Sequence, residues 1–283
     1  MDNATYRQWR ETKLNDYPEG ADGLCVSIDG LTSPSDSQVS MIIEKCKRYN
    51  MAIYRSRDKD VDRSAIRTFA AKFGLHRPDF HLCANDDGVS ELTAASSGTR
   101  AAYVPYSNRA LSWHTDGYYN PKSHRVRAVV LHCAANAETG GDNALLDPDI
   151  AYILLRDEDP RFITAFEHPE CMTIPANTDA GGEIRPEVTG PVFSYGNDGS
   201  IHMRYSARKR NIRWRDDALT CAAREFLTAM LDDKGGPVFK YRLQPGEGLI
   251  SNNVLHNRTA FRDGAGHHRL LYRARFFDRV RTR

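Results

Sequence analysis

His114 and Asp116 stand two positions apart in the segment SWHTDGYYN (residues 112–120), with two tyrosines directly behind them. On an extended strand, residues two apart share one face. The imidazole and the carboxylate then project together while Thr115 turns away, which suits two ligands of one metal ion. Strand neighbours do not supply a third facial ligand, so it must come from elsewhere. The segment NNVLHNRTAF (252–261) offers His256 at the end of an apolar run. Two histidines and one carboxylate leave three positions open, the donor set of non-haem Fe(II) oxygenases. A closed zinc site more often uses four protein ligands, several of them cysteine.

A second chemical feature lies near the C-terminus. In RLLYRARFF (269–277), Arg269, Leu271, Arg273 and Arg275 share one strand face, and Leu270, Tyr272, Ala274 and Phe276 the other. The second face is apolar and suits a core contact. The first carries guanidinium groups, whose burial requires anionic partners. Arginine offers carboxylates a planar, two-pronged donor set, so Arg269, on a strand expected beside His256, could hold the far carboxylate of a keto acid that chelates a metal. Arg273 and Arg275 are equally well read as ordinary solvent-facing or ion-paired strand arginines.

These residues need rigid elements to position them. In SPSDSQVSMIIEKCKRYN, Ser and Asp caps precede Val39, Ile42, Ile43, Cys46 and Tyr49 at helical spacing. MAIYR (51–55) reads as a short strand. DVDRSAIRTFAAKFG (60–74) reads as a second helix, with Ile66, Phe69, Ala70 and Phe73 on one face and Gly74 as its stop. Residues 76–110 lack clear elements, and a stretch of that length suggests a functional lid. From 111 onward strand patterns dominate, with a hairpin signal around Gly-Asn-Asp-Gly in GPVFSYGNDGSIHMRYSA. Helices are expected over 147–157 and 216–233. Many short strands with few helices predict a mainly β fold, a barrel or jelly roll with flanking helices. With no linker in sight, residues 1–283 are expected to form a single domain: an N-terminal helix–strand–helix and lid region over 20–110, and a core over 111–277.

The bulk properties narrow the function. The chain has 283 residues, 40% hydrophobic and 27% charged, with a formal net charge of +2. That balance argues against a nucleic-acid or membrane surface. The first twenty residues hold no apolar signal region. Six scattered cysteines without a C-x-x-C pair suggest free thiols in a reducing, cytoplasmic compartment. The basic run ARKRNIRWR (207–215) reads as a solvated or substrate-facing loop.

The segments resemble, in order, the taurine dioxygenase-like (TauD/TfdA) family of Fe(II)/2-oxoglutarate-dependent oxygenases. KCKRYNMAIYRSRDKDVDRSAIRTFAAKFG resembles that family's front helix–strand–helix, and WHTD its first metal motif. ETGGDNALLD resembles its Gly-Gly-Asp segment, NNVLHNRTAF its distal-histidine motif, and HRLLYRARF its closing arginine strand. The resemblance implies a double-stranded β-helix (jelly roll), with His114, Asp116 and His256 as iron ligands. It implies that Arg269 pairs with the distal carboxylate of 2-oxoglutarate and that Arg273 lies near a keto-acid or substrate carboxylate. Asn143 stands where the family commonly has a threonine that contacts 2-oxoglutarate; an amide can also donate there. The implied cofactors are Fe(II), 2-oxoglutarate as co-substrate and O2, and the implied activity is hydroxylation of a small, anionic metabolite with release of succinate and CO2. Desaturation or demethylation by the same chemistry stays open. So does a non-catalytic jelly-roll protein that binds a divalent metal and an organic acid. Substrate contacts are expected from Tyr103 and Asn108 in the loop before the first ligand, and from Arg204 in the hairpin. One of Tyr118 and Tyr119 should face the site, as a substrate contact or as packing. His76, in FGLHRPDFH, stands near the substrate histidine of the taurine enzyme, whose sulfonate loop this segment only partly resembles. A small-molecule partner is expected, without nucleic acid or membrane, with a homo-oligomer possible.

Overall fold

The computed structural model describes residues 2–58, 61–179, 182–208, 210–233, 235–266 and 268–281. Ten strands build two facing sheets: β1 (Cys25–Ile28), β2 (Met51–Ser56), β3 (Val89–Leu92), β4 (Leu111–His114), β5 (Ala128–Ala135), β6 (Asn143–Leu146), β7 (Phe239–Tyr241), β8 (Glu247–Ser251), β9 (Leu255–Arg258) and β10 (Leu270–Phe276). The major sheet runs β1-β2-β8-β5-β10-β3 and the minor sheet β7-β6-β9-β4. All pairings in both sheets are antiparallel except β1 with β2. The result is a jelly roll with flanking helices.

Strand alternation explains the layers. On β10, Leu271 packs with Leu145, Leu249 and Cys133 between the sheets, while Ala274 and Phe276 face the other side. That other side of the major sheet is covered by the helices Asp36–Tyr49 and Arg63–Ala71 through Ile42, Cys46, Ile66 and Phe69. Ser35 and Gln38 form a capping box that starts the first of these helices, and Asn50 ends it in the left-handed region. The outer face of the minor sheet (Trp113, Ala144, Leu146, Leu255) is covered by helices Pro148–Glu158, Pro160–Glu167 and Ala218–Asp232. Both faces of both sheets are therefore largely covered by apolar packing.

The expected helices are present, and the fold adds to them. A further helix, Asn3–Leu14, and the strand β1 precede the helix–strand–helix unit. The helix expected over 147–157 is followed at once by a second, because Asp159 caps a new turn opened by Pro160. Residues 76–110 contain β3 and two short helical turns, Gly98–Ala101 and Val104–Tyr106. The hairpin around Gly-Asn-Asp-Gly forms between Phe193–Tyr195 and Ile201–Met203. A second hairpin, Asn177–Asp179 with Gly182–Arg185, has no counterpart in the sequence reading. All six cysteines are unpaired. Among the described residues, no helix is long and apolar enough to cross a membrane.

Candidate metal centre

His114 and His256 are register partners on the adjacent strands β4 and β9, with ring centroids 4.2 Å apart. Each ring is fixed by its own backbone. His114 Nδ1 lies 2.9 Å from the Ser112 carbonyl and His256 Nδ1 lies 3.0 Å from the Val254 carbonyl. A carbonyl only accepts, so Nδ1 carries the proton on both rings and both Nε2 lone pairs are free for a metal. Burial and the His256 ring push the His114 pKa down to about 3, which keeps that ring neutral.

Asp116 reaches the same point by a different route from the expected one. β4 ends at His114, and the carboxylate stands on the turn that follows. Thr115 is pinned by reciprocal bonds with Tyr205, its N–H donating to the Tyr205 carbonyl and its hydroxyl accepting from the Tyr205 N–H. The chain then turns at Gly117 (φ 66°), where a Cβ would meet Val126 at 2.5 Å. Asn253, itself in the left-handed region (φ 56°), accepts from the Asp116 N–H at 2.8 Å and donates to the Asp116 and Val126 carbonyls at 2.9 and 2.7 Å.

The electrostatics complete the site. Burial opposes ionisation of Asp116, but Arg273 and Arg275, helped by the two histidines, outweigh it and hold its pKa below the ordinary value. Arg273 Nη1 donates to Asp116 Oδ1 at 3.1 Å, and Arg275 Nη1 lies 3.7 Å from the same oxygen. Asp116 Oδ2 is buried and has no hydrogen-bond partner. The candidate ligand atoms of His114, Asp116 and His256 all lie within 4.8 Å of one another. One ion at about 2.0–2.2 Å from each closes that spread with small side-chain adjustments.

Two cavities meet here. A narrow one of about 50 Å³ is lined by His256, Asp116, Asn143, Arg258, Arg269 and Arg273, among others. Arg269 is 4% exposed, and its Nη1 has no partner. Burial pushes its pKa down to about 10. Among the described residues no carboxylate lies within ion-pair distance of Arg269 or Arg258. Asn143 opens β6 and also lines this cavity. A wide cavity of about 570 Å³ lies on the other side, lined by His114, Asp116, Tyr103, Tyr118, Tyr119 and Arg273, among others.

Several expected substrate residues are placed elsewhere. Tyr118 and Tyr119 both line the wide cavity, whereas strand alternation predicted only one; the segment is a turn, so alternation does not apply. His76 is exposed, its N–H tied to the Asp278 carboxylate, and it is absent from the cavity wall. The histidine at the wall is His81, whose Nδ1 accepts from the Cys83 N–H and whose Nε2 meets the Ser90 hydroxyl. Asn108 is exposed and stands outside both cavity linings. Arg204 is a buried clamp: its guanidinium donates to the backbone carbonyls of Tyr118, Met172, Gly190 and Val188. Arg273 and Arg275 are buried, not solvent-facing; Arg275 donates to Tyr119 and Asp79. His267 and His268 precede the arginine strand in sequence, where loop residues are expected, and His267 lies outside the described residues.

Two residues of the site escaped the sequence reading. Arg258 is buried and donates to the Pro105, Ser107 and Arg109 carbonyls, and its Nε has no partner. Its signal was present, since it stands two residues after His256 on one strand. Asn253 was marked by the Asn-Asn pair before that strand, because asparagine tolerates left-handed backbone.

A sequence profile described as the taurine catabolism dioxygenase TauD, TfdA family matches residues 26–275. The chain belongs to the TauD/TfdA family. A curated relative, uridine-5'-phosphate dioxygenase from Amycolatopsis sp, is 29% identical over 182 residues, 60% of this chain and 62% of that protein. The match thus takes in less than two thirds of that relative's length. The solved structure of an asparagine oxygenase in complex with Fe(II), 2S,3S-3-hydroxyasparagine and succinate aligns at 16% identity and TM-score 0.60, covering 89% of this chain and 93% of that one. The non-heme iron oxygenase OrfP, in complex with Fe, succinate and (3R,4R)-dihydroxy-L-Arg, aligns at 17% identity and TM-score 0.62, covering 86% and 81%. At those identities the structures show a shared fold. The TauD/TfdA site takes Fe(II) and 2-oxoglutarate, and the residues here fit both. The orphaned Asp116 Oδ2 and two outward Nε2 lone pairs suit the ion, and the unpaired buried Arg269 suits a carboxylate.

Proposed function

We propose that the protein is a 2-oxoglutarate-dependent non-haem Fe(II) dioxygenase, one domain over 1–283, that hydroxylates a small anionic metabolite and releases succinate and CO2. One observation carries this reading. The three-ligand cluster has one carboxylate oxygen left free, and it sits between a narrow arginine-ended cavity and a wide one. Fe(II) held by His114, Asp116 and His256 supplies, with the keto acid and O2, the oxidising power to hydroxylate a C–H bond.

The chain's own residues then have separate tasks. Arg269 receives the far carboxylate of the keto acid through the two-pronged donor geometry of guanidinium, with Asn143 beside it. Arg273 lines both cavities. There it donates to Asp116, at the boundary between them. Arg275 stays on Asp116, Asp79 and Tyr119 and keeps the metal-ligand carboxylate ionised. Tyr103, Tyr118 and Tyr119 present aromatic faces to the substrate and exclude water. Arg204 holds the Tyr118 carbonyl from behind. Residues from the 76–110 segment, together with Asn177, Thr178, Ile184 and Arg185, form the lid side of the wide cavity.

The named activity of the Amycolatopsis relative supports an anionic substrate. The near-neutral charge and a cavity of about 570 Å³ support a small molecule over nucleic acid or membrane, in a cytoplasmic setting, with assembly into a homo-oligomer compatible with the fold. The test is succinate release by purified protein with Fe(II), ascorbate, O2 and 2-oxoglutarate, against sulfonates, amino acids, phenoxy acids and phosphate esters. Metal-dependent succinate, stimulated by one class, is the expected result. Tight binding of metal and keto acid without succinate against any of them would identify a binding protein instead.

A further inference from the structure

We propose that Arg185 and Arg208 form an anion subsite on the wall of the wide cavity, and that the substrate held there is a ring-bearing phosphate monoester. The proposal rests on the oxygenase reading above and names the substrate class of that site. It begins with charge. Four arginines line the cavity: Arg185, Arg208, Arg273 and Arg275, against two aspartates, Asp79 and Asp116. The aspartates are already matched, Asp116 by Arg273 and Asp79 by Arg275. Among the described residues, no carboxylate lies within ion-pair distance of Arg185 or Arg208. The keto acid and its arginine, Arg269, belong to the narrow cavity and stand outside this count. The two unmatched guanidiniums then define what the cavity lacks.

Arg185 is held in place for a ligand. It ends the hairpin Asn177–Asp179/Gly182–Arg185, and two backbone carbonyls orient its guanidinium: Nη1 donates to Pro186 at 2.8 Å and Nη2 to Pro175 at 2.7 Å. The Nε–H and one hydrogen on each terminal nitrogen remain. Its guanidinium carbon stands 5.6 Å from the Tyr119 ring centroid. Burial lowers its pKa, as expected of a cation short of anionic partners. Arg208 follows the Ser206 bridge to His114, so its backbone is tied to the metal strand. It is exposed and therefore the weaker of the two.

The charge count separates the anions. A carboxylate or a sulfonate brings one negative charge and leaves one arginine unmatched. A phosphate monoester brings about −1.5 to −2 near neutral pH, together with three acceptor oxygens. Tyr118 and Tyr119 meet edge to face, with centroids 5.2 Å apart at 78°, which leaves an aromatic face for a flat ring. A cavity of about 570 Å³ falls in the range that encloses drug-sized molecules, well beyond the need of a two-carbon acid.

The test titrates phenyl phosphate, benzenesulfonate and benzoate into protein loaded with Fe(II) and 2-oxoglutarate under argon. Phenyl phosphate should bind at least about tenfold tighter than the other two, since each lost charge-assisted contact is worth roughly a tenfold change or more. Arg185→Gln should erase that preference, Arg185→Lys should restore part of it, and Arg208→Gln should reduce it by about two- to fivefold. Equal affinity for the three anions, no binding of any, or a preference that survives in Arg185→Gln would overturn the subsite. Succinate release by the wild type in air is read separately. Succinate without a phosphate preference sinks the subsite and spares the oxygenase; no succinate under any condition sinks both.

Discussion

The narrow and the wide cavity share Pro105, Leu111, Asp116 and Arg273, but the rest of their walls are built from different material. The narrow one is walled by strands: Leu131 on β5, Asn143 and Leu145 on β6, Leu249 and Ser251 on β8, His256 and Arg258 on β9. The wide one is walled largely by loops, a hairpin and the 76–110 segment. Strand walls cannot change shape without breaking ladder bonds, whereas loops tolerate substitution and carry specificity. A co-substrate common to a family suits the first, and a substrate that differs between members suits the second.

Substitutions that separate the two cavities test this division. The largest effect is expected at the shared boundary. Asp116→Ala removes a proposed ligand and also leaves Arg273 without its anion, while Arg275 keeps Asp79; metal affinity should fall by more than about a hundredfold, beyond the loss typical of an outer-shell change. Calorimetric titration with Mn(II) reads this directly, and affinity within tenfold of wild type would remove Asp116 from the site. Next in size is Asn253→Ala. It deletes three hydrogen bonds and forces alanine into left-handed backbone, with an expected loss of roughly 2–4 kcal/mol by urea unfolding. Metal affinity should fall about tenfold, and Asn253→Gly, which relieves only the backbone, should recover part of the stability without recovering the metal.

How much of this was legible depended on periodicity. His256 and Arg273 lie on strands and Arg269 directly precedes one, and on a strand spacing decides which side chains share a face. The helix from Asp36 to Tyr49 and the strand Leu270–Phe276 were readable for the same reason. His114 and Asp116 were paired correctly by a rule that only half applies, since the strand stops between them. Loops carry no such period. His76 and His81 sit five residues apart in one irregular segment, and nothing local tells which one faces inward. Arg204 and Arg258 both end on backbone carbonyls of segments distant in sequence, a partner type that leaves no trace in sequence. The hairpin that carries Arg185 was missed because its strands are three and four residues long with few apolar positions.

A pH-dependent effect is expected in the layer behind the narrow cavity. His132 on β5 is fully buried, stacked on Tyr54 at 9°, with its Nε2 unpartnered. Burial pushes its pKa down to about 4 from the ordinary 6.5. The folded state thus refuses a proton that the unfolded chain accepts. The group's contribution is complete above about pH 6.5 and is lost as pH falls toward 4, up to about 3 kcal/mol in total. His132→Phe should flatten stability over that window, measured as the urea midpoint at each pH. An unchanged slope would mean that His132 is not held neutral.

The division into two cavities stands or falls most directly on where the keto acid binds. Titration of 2-oxoglutarate into Mn(II)-loaded protein should show one molecule per chain, with binding lost when the metal is removed. In Arg269→Gln the affinity should drop by roughly ten- to a hundredfold while Mn(II) affinity holds. Undiminished 2-oxoglutarate affinity in Arg269→Gln would place the acid outside the narrow cavity and contradict the account.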